Sequence, residues 1–175
     1  MTVKSVVFCS LFGGVLFFSV PASAQEAVPA GLLTEVCLPY ANRAQSFERS
    51  IRAARDLEFR RPVDDTAPLE EWASEITMVS KDGVWRVQIE EGTVERGERA
   101  IYEASCTISS SRASARELAD LGRRAFRDST YWTTPPDNAW HWDRRSAYPE
   151  EYGLAVEVAE QPGKRPTMTV RGSYY

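Results

Sequence analysis

The sequence is poor in the residues that most often hold metals or carry catalysis. It contains one histidine and three cysteines among 175 residues, which leaves no recognisable zinc ligand set. No Asp/Asn-rich calcium loop occurs, and no glycine-rich segment has the spacing that cradles phosphate. These absences predict that the protein has no metal site and no cofactor.

An excess of positive charge is also absent. The chain has 21 Lys and Arg residues against 25 Asp and Glu residues, and its formal net charge is −4. Because like charges repel, nucleic acid and anionic membrane surfaces are poor partners for an acidic chain. We therefore predict no nucleic-acid binding.

Long apolar runs are absent except at the start of the chain. Residues 6–20 form a largely apolar run, Lys4 precedes them, and the small residues 22–24 (Ala-Ser-Ala) follow. This combination is typical of a secretory signal peptide and its cleavage site. We expect residues 1–24 to be removed, which changes the net charge from −4 to −5 because Lys4 is the only charged residue lost.

A membrane anchor is the alternative interpretation of the same segment. Crossing the hydrocarbon core takes about 20 apolar residues, whereas this run is shorter and is interrupted by Gly13 and Gly14. Cys9 lies inside the run and not at the cleavage site, so lipid attachment is not indicated. The mature chain is therefore expected to be periplasmic or secreted, with no stable membrane anchor after cleavage.

Residues 25–175 have the length of a single domain with its own core. Cys37 and Cys106 are the two cysteines that remain, and in an oxidising compartment they most simply form one disulfide. That bond would close a loop of about 70 residues and stabilise the fold by about 4 kcal/mol. A reactive thiol pair or half of a metal site is the alternative, although no CxxC spacing supports it.

Apolar residues at helical spacing predict two consecutive helices before residue 57, because Pro39 cannot sit in an undisturbed helix interior. Ser46 is the expected cap of the second helix. Its buried stripe is formed by Phe47, Ile51 and Ala54. Ser114 and Glu117 form a capping box that predicts a third helix. The apolar stripe of this helix consists of Leu118, Leu121, Ala125 and Phe126.

Alternating apolar residues predict about five strands. Asp82-Gly83 is a hairpin turn between the first two strands, and a third strand over 98–109 points Cys106 into the core. The last two strands fall near 154–158 and 168–174. The element order α-α-β-β-β-α-β-β predicts an α+β domain, with helices on one face of an antiparallel sheet.

Residues 129–151 are predicted to form a long loop, which is rich in aromatic side chains and proline. Flat rings beside carboxylate, amide and guanidinium groups are typical of grooves that bind carbohydrate or peptide. The alternative is that these rings cover an open end of the sheet as a satellite core. The candidate binding residues are Tyr131, Trp132, Trp140, His141, Trp142, Asp143 and Arg144.

A hydrolase site would depend on His141, with Asp137 or Asp143 to orient it. The candidate nucleophiles are Ser109, Ser110, Ser111 and Ser129, and no nucleophile-elbow sequence surrounds them. Adjacent carboxylates such as Glu90-Glu91 face opposite sides of a strand, so they do not form a glycosidase dyad. We assign no catalytic residue.

The start of the mature chain carries the segment Val36-Cys37-Leu38-Pro39-Tyr40, followed by Ser46-Phe47 and Ala53-Ala54. In these motifs, over about the first 30 mature residues, the chain resembles small exported proteins of Gram-negative bacteria that have no assigned activity. The resemblance implies residence in the periplasm and a structural role for Cys37. It implies no catalytic residue and no ligand.

The sequence therefore predicts a small exported protein of the cell envelope, which binds through its aromatic-rich loop and is not an enzyme. Its expected partner is an envelope polymer, a peptide or a periplasmic protein. One alternative is an inhibitor or immunity-like protein that blocks a hydrolase, because a small disulfide-braced domain with an exposed loop also suits that role. Another is a small hydrolase that uses His141.

Overall fold

The protein is an α+β domain, as predicted, with its helices on one face of an antiparallel sheet. A computed structural model describes residues 22–63, 74–97, 99–149 and 151–175. The predicted signal peptide lies outside these ranges except for residues 22–24, which begin the first helix. Within the same ranges, no helix is long and apolar enough to cross a membrane.

The first helical region follows a continuous path. It consists of α1 (Ala22–Gly31), a π-helical turn (Leu32–Cys37) and α2 (Leu38–Ala41). The irregularity predicted at Pro39 is present as this wider turn, in which the Leu38 amide donates to the Leu33 carbonyl. Pro39 has no amide hydrogen to donate to the Glu35 carbonyl, and the Gln45 side chain donates to that carbonyl instead, at 3.2 Å.

Two further helices begin at the predicted caps. In α3 (Phe47–Asp56), Ser46 accepts from the Arg49 amide, and the predicted stripe of Phe47, Ile51 and Ala54 is buried. The capping box predicted for α4 (Ala115–Phe126) is present, and its apolar residues are buried apart from Ala125, which is exposed. Local polar signals thus predicted both helix starts.

The sheet has seven strands where the sequence predicts five. They are β1 (Glu75–Val79), β2 (Trp85–Arg96), β3 (Arg99–Ser110), β4 (Trp132–Thr133), β5 (His141–Arg144), β6 (Tyr152–Ala159) and β7 (Thr167–Tyr174). Their order in the sheet is β1-β2-β3-β7-β6-β5-β4, and every neighbouring pair is antiparallel.

The two additional strands lie inside 129–151, so the prediction of an irregular loop there is wrong in part. β4 has two residues and β5 has four, which is too short to show a period-two pattern along the sequence. The five predicted strands are present. The predicted turn also joins β1 to β2, where Gly83 has a φ of 70° that favours glycine.

The core lies between the helices and the sheet. α2 packs on β3 and β7, α3 on β2, and α4 on β6 and β7. A disulfide joins Cys37 of the π-helical turn to Cys106 of β3, as the sequence predicts. α2 approaches the sheet so closely that a Cβ on Gly172 would lie 1.9 Å from the Ala41 carbonyl oxygen.

The opposite face of the sheet is polar. Thr107 of β3 and Thr169 of β7 share a hydrogen bond at 3.0 Å, and the Ser105 hydroxyl donates to Glu90 at 2.6 Å. Glu91 points to the helix side instead, where it accepts from the Tyr40 hydroxyl at 3.1 Å. The two adjacent carboxylates thus face opposite sides, as predicted. We refer to the polar side as the open face.

Candidate binding site

The seven predicted binding residues lie in three different places. Trp142 is in the core, and Trp140 is half-buried against it. His141 and Asp143 lie on the open face. The remaining three residues line a groove on the helix-covered side, and they are Tyr131, Trp132 and Arg144. This division follows from β5, because alternate residues of a strand point to opposite faces.

Trp142 is a core residue and offers no ring to a ligand in this conformation. Its side chain is 4% exposed and lies against Gly122 of α4. The Phe126 ring packs 5.8 Å from it, measured between ring centroids. Trp142 therefore lies in the core and not on an exposed surface, because Gly122 has no side chain and leaves room for the indole against α4.

Trp132 combines packing with exposure. Its ring lies 4.3 Å from Phe126, between centroids, with an interplanar angle of 30°. The side chain is half-buried and also lines the groove. The neighbouring Tyr131 is 65% exposed. The satellite-core alternative therefore describes Trp142 and part of Trp132, while Tyr131 and the rest of Trp132 face solvent.

The groove lies between α2 and the β4–β5 pair and has a volume of about 300 Å³. Aliphatic side chains form its floor: Leu38, Pro39, Ala44 and Leu154. The polar and aromatic residues that line it are Asn42, Ser129, Tyr131, Trp132 and Arg144. A concave surface with an apolar floor and a few placed polar groups is the usual form of a ligand site.

Asn42 organises the polar end of the groove. It ends α2, and its side-chain oxygen accepts from the Arg144 guanidinium at 3.2 Å and from the Tyr152 hydroxyl at 3.0 Å. Among the residues that the structure describes, no carboxylate lies within ion-pair distance of Arg144. The guanidinium is therefore held in place by Asn42 and by its interaction with the Tyr152 hydroxyl, and these contacts do not use all of its five N–H donors.

A row of tyrosines continues from this point across the sheet. Tyr152, Tyr174 and Tyr102 lie opposite one another on β6, β7 and β3. The centroids of Tyr152 and Tyr174 are 5.0 Å apart, and those of Tyr102 and Tyr174 are 6.0 Å apart. The Arg43 guanidinium lies over the last two rings, at 5.2 Å from Tyr102 and 4.9 Å from Tyr174. We call these three residues the tyrosine row.

Burial raises the pKa values of the tyrosine row. It raises the pKa of Tyr102 to about 12, with a further contribution from the Glu91 carboxylate. Burial also raises the pKa values of Tyr152 and Tyr174. At neutral pH these hydroxyls are protonated, as those of exposed tyrosines are, and Tyr174 donates to the Ala41 carbonyl at 2.7 Å.

His141 and Asp143 form a hydrogen-bonded pair on the open face. His141 Nε2 lies 2.8 Å from Asp143 Oδ1, and the two side chains are 24% and 53% exposed. Asp143, and not the alternative Asp137, is thus the carboxylate that meets the histidine. A histidine held by a carboxylate is also part of a hydrolase triad, but there the carboxylate binds Nδ1, whereas Asp143 lies beside Nε2.

The serines considered as nucleophiles lie elsewhere. Ser109 is on β3, three strands away from β5, which corresponds to about 14 Å. Ser110 accepts from the Arg112 and Ala113 amides, and Ser111 bonds to the Val84 carbonyl. Ser129 lines the groove on the other side of the sheet. None of these four described serines completes a triad with His141.

Within 22–63, 74–97, 99–149 and 151–175, no group of three or more His, Cys, Asp or Glu residues is placed to hold a metal ion. Among the described residues, those that line the groove include none of these types.

Several residues of the site are not recognisable from the sequence. Asn42 and the tyrosine row come from four different elements, and Asn42 is 102 and 110 residues away from its partners Arg144 and Tyr152. Arg43 follows a short helix and takes a left-handed φ of 54° there, which the sequence does not indicate either. No protein-family model, curated protein or solved structure matches the chain.

Proposed function

We propose that this chain is an exported binding protein of the cell envelope, without catalytic function, and that its ligand occupies the groove between α2 and the β4–β5 pair. The observation that supports this is the composition of the groove. An apolar floor, two aromatic side chains and a fixed guanidinium converge on one concave surface. Aromatic residues and arginine are the types that most often dominate binding energy.

The size of the groove restricts what it can enclose. About 300 Å³ is at the lower end of the range for ligand sites. It suits one residue of a peptide or one unit of a polymer, with the remainder of the ligand outside. The tyrosine row and the exposed Tyr131 extend the surface beyond the groove, so a longer ligand would find further contacts there.

Export is the other part of the proposal. It is supported by the predicted leader and by the Cys37–Cys106 disulfide, which is compatible with an oxidising compartment. Peptidoglycan fragments and envelope extracts are therefore the first materials to test as ligands.

Two tyrosines allow a matched test. Tyr131 lines the groove and Tyr148 does not, yet they are 65% and 67% exposed. The purified protein would be titrated with peptidoglycan fragments while tryptophan fluorescence is followed. We expect Tyr131→Ala to weaken binding about 10-fold or more and Tyr148→Ala to leave it unchanged. Equal effects of the two substitutions, or no binding by the unmodified protein, would contradict the proposal.

The second candidate is a small hydrolase, which the His141–Asp143 hydrogen bond favours. In that case His141 would activate water, because the four candidate serines lie away from it. Any hydrolytic activity found on envelope substrates should then be lost in His141→Gln, because a glutamine side chain cannot act as a base. Activity that survives in His141→Gln removes this candidate.

A further inference from the structure

We propose that the groove binds the C-terminal residue of a peptide, with Arg144 donating to the terminal carboxylate and the apolar floor receiving the last side chain. This inference rests on the binding function proposed above and specifies the ligand of the same site.

The charge of the groove differs from that of the chain. Acidic residues outnumber basic ones in the sequence, at 25 to 21, yet none of the acidic residues that the structure describes lines the groove. The Asn42 oxygen already accepts two hydrogen bonds, so the side-chain groups left for a ligand are mainly donors. A neutral sugar needs acceptors as well as donors, whereas a carboxylate brings the acceptors itself. The groove is therefore complementary to an anion.

The Arg144 guanidinium is held in a position to bind an anion. One guanidinium N–H donates to the Asn42 side-chain oxygen, and the Tyr152 hydroxyl donates to the same oxygen. The side chain is half-buried, which strengthens its interaction with an anion relative to an exposed arginine. The remaining donors of a planar guanidinium can bind a carboxylate through two parallel hydrogen bonds.

The apolar floor favours the last residue of a peptide over an acidic sugar, although both carry a carboxylate. Leu154 lies beside Arg144 in the lining of the groove, and Leu38 and Pro39 face it from α2. In the last residue of a peptide, the carboxylate and the side chain share one Cα, so both reach this small space together. An acidic sugar would bring hydroxyl groups onto aliphatic carbon, where they lose hydrogen bonds to water.

The test compares an acid with its amide by isothermal titration calorimetry. The probes are N-acetyl-Ala-Leu and N-acetyl-Ala-Leu carboxamide, which differ only in the terminal charge. We expect the acid to bind about 10-fold more tightly or better, because charge-assisted hydrogen bonds are lost in the amide. Arg144→Gln should abolish this preference, while Arg145→Gln, which removes the same charge from an exposed neighbour, should retain it.

Arg144→Lys is a second variant at the same position, for the case that Arg144→Gln does not fold. Near-ultraviolet circular dichroism checks the fold of both variants. Arg144→Lys keeps the charge but loses the planar fork, so it should retain only part of the preference for the acid. Equal binding of acid and amide, or an unchanged preference in both Arg144 variants, would overturn the inference.

Two other outcomes separate this inference from the proposed function. If oligogalacturonate or an envelope extract binds in a Tyr131-dependent way while the acid probe does not, the peptide inference is overturned and the binding function stands. If none of the materials binds, both are overturned.

Discussion

Gly122→Ala tests whether Trp142 belongs to the core or to a ligand surface. An ideal Cβ on Gly122 would lie 2.6 Å, 2.7 Å and 3.0 Å from three carbon atoms of the Trp142 ring. Carbon atoms normally rest about 3.5–4.0 Å apart, so this rigid ring would have to move by about 1 Å. Overpacking of this kind costs about 1–3 kcal/mol.

Helix propensity acts in the opposite direction. Gly122 lies inside α4, where alanine is favoured over glycine by about 1 kcal/mol. The steric cost should prevail, and we expect Gly122→Ala to lower the free energy of unfolding by about 1 kcal/mol. In a Trp142→Leu background the ring is gone, and the same substitution should instead raise that free energy by about 0.5–1 kcal/mol.

Urea unfolding of the four proteins in this cycle gives the free energies by linear extrapolation. The expected signature is the change of sign between the two backgrounds, with a coupling of about 2 kcal/mol. If Gly122→Ala were stabilising by the same amount in both, Trp142 would not rest on α4. The indole would then be available to a ligand, and the core assignment would be refuted.

Two further predictions concern the Cys37–Cys106 disulfide and the tyrosine row. The double variant Cys37→Ala/Cys106→Ala should lose about 4 kcal/mol of unfolding free energy, since the disulfide spans 69 residues of sequence. If urea unfolding showed a loss of less than about 1 kcal/mol, the stabilising role of the disulfide would be contradicted. The pKa of Tyr102 is raised from 10.0 to about 12, so the folded state favours the protonated phenol. Its contribution to stability is complete below pH 10 and is lost as pH rises towards 12. Urea unfolding across this interval should show a fall in stability that is smaller in Tyr102→Phe, where the other tyrosines with raised pKa values still contribute.

Features that depend on a few neighbouring residues were predictable from the sequence. The Ser114–Glu117 capping box and the Asp82-Gly83 turn act within one helical turn or one hairpin, so the pattern alone indicates them. The Cys37–Cys106 pair was predictable for a different reason: removal of the predicted leader would leave only two cysteines, and the alternation of β3 points one of them inward.

The site was predictable only in part, because it depends on contacts across the fold. The aromatic segment indicated Tyr131, Trp132 and Arg144, but periodicity cannot separate Trp142 from them when β5 has only four residues. The tyrosine row requires β7 to lie between β3 and β6, and this order brings together residues from both halves of the chain. Asn42 becomes part of the site only because α2 ends against that row.

The central claim is that the ligand occupies the groove beside Trp132. Indole N–H signals in nuclear magnetic resonance spectra test it most directly, because Trp132 lines the groove whereas Trp142 and Trp85 are buried in the core. On addition of a muropeptide digest, the Trp132 signal should shift progressively while the signals of Trp142 and Trp85 stay in place. Shifts confined to His141 and the open face, with Trp132 unmoved, would contradict the account.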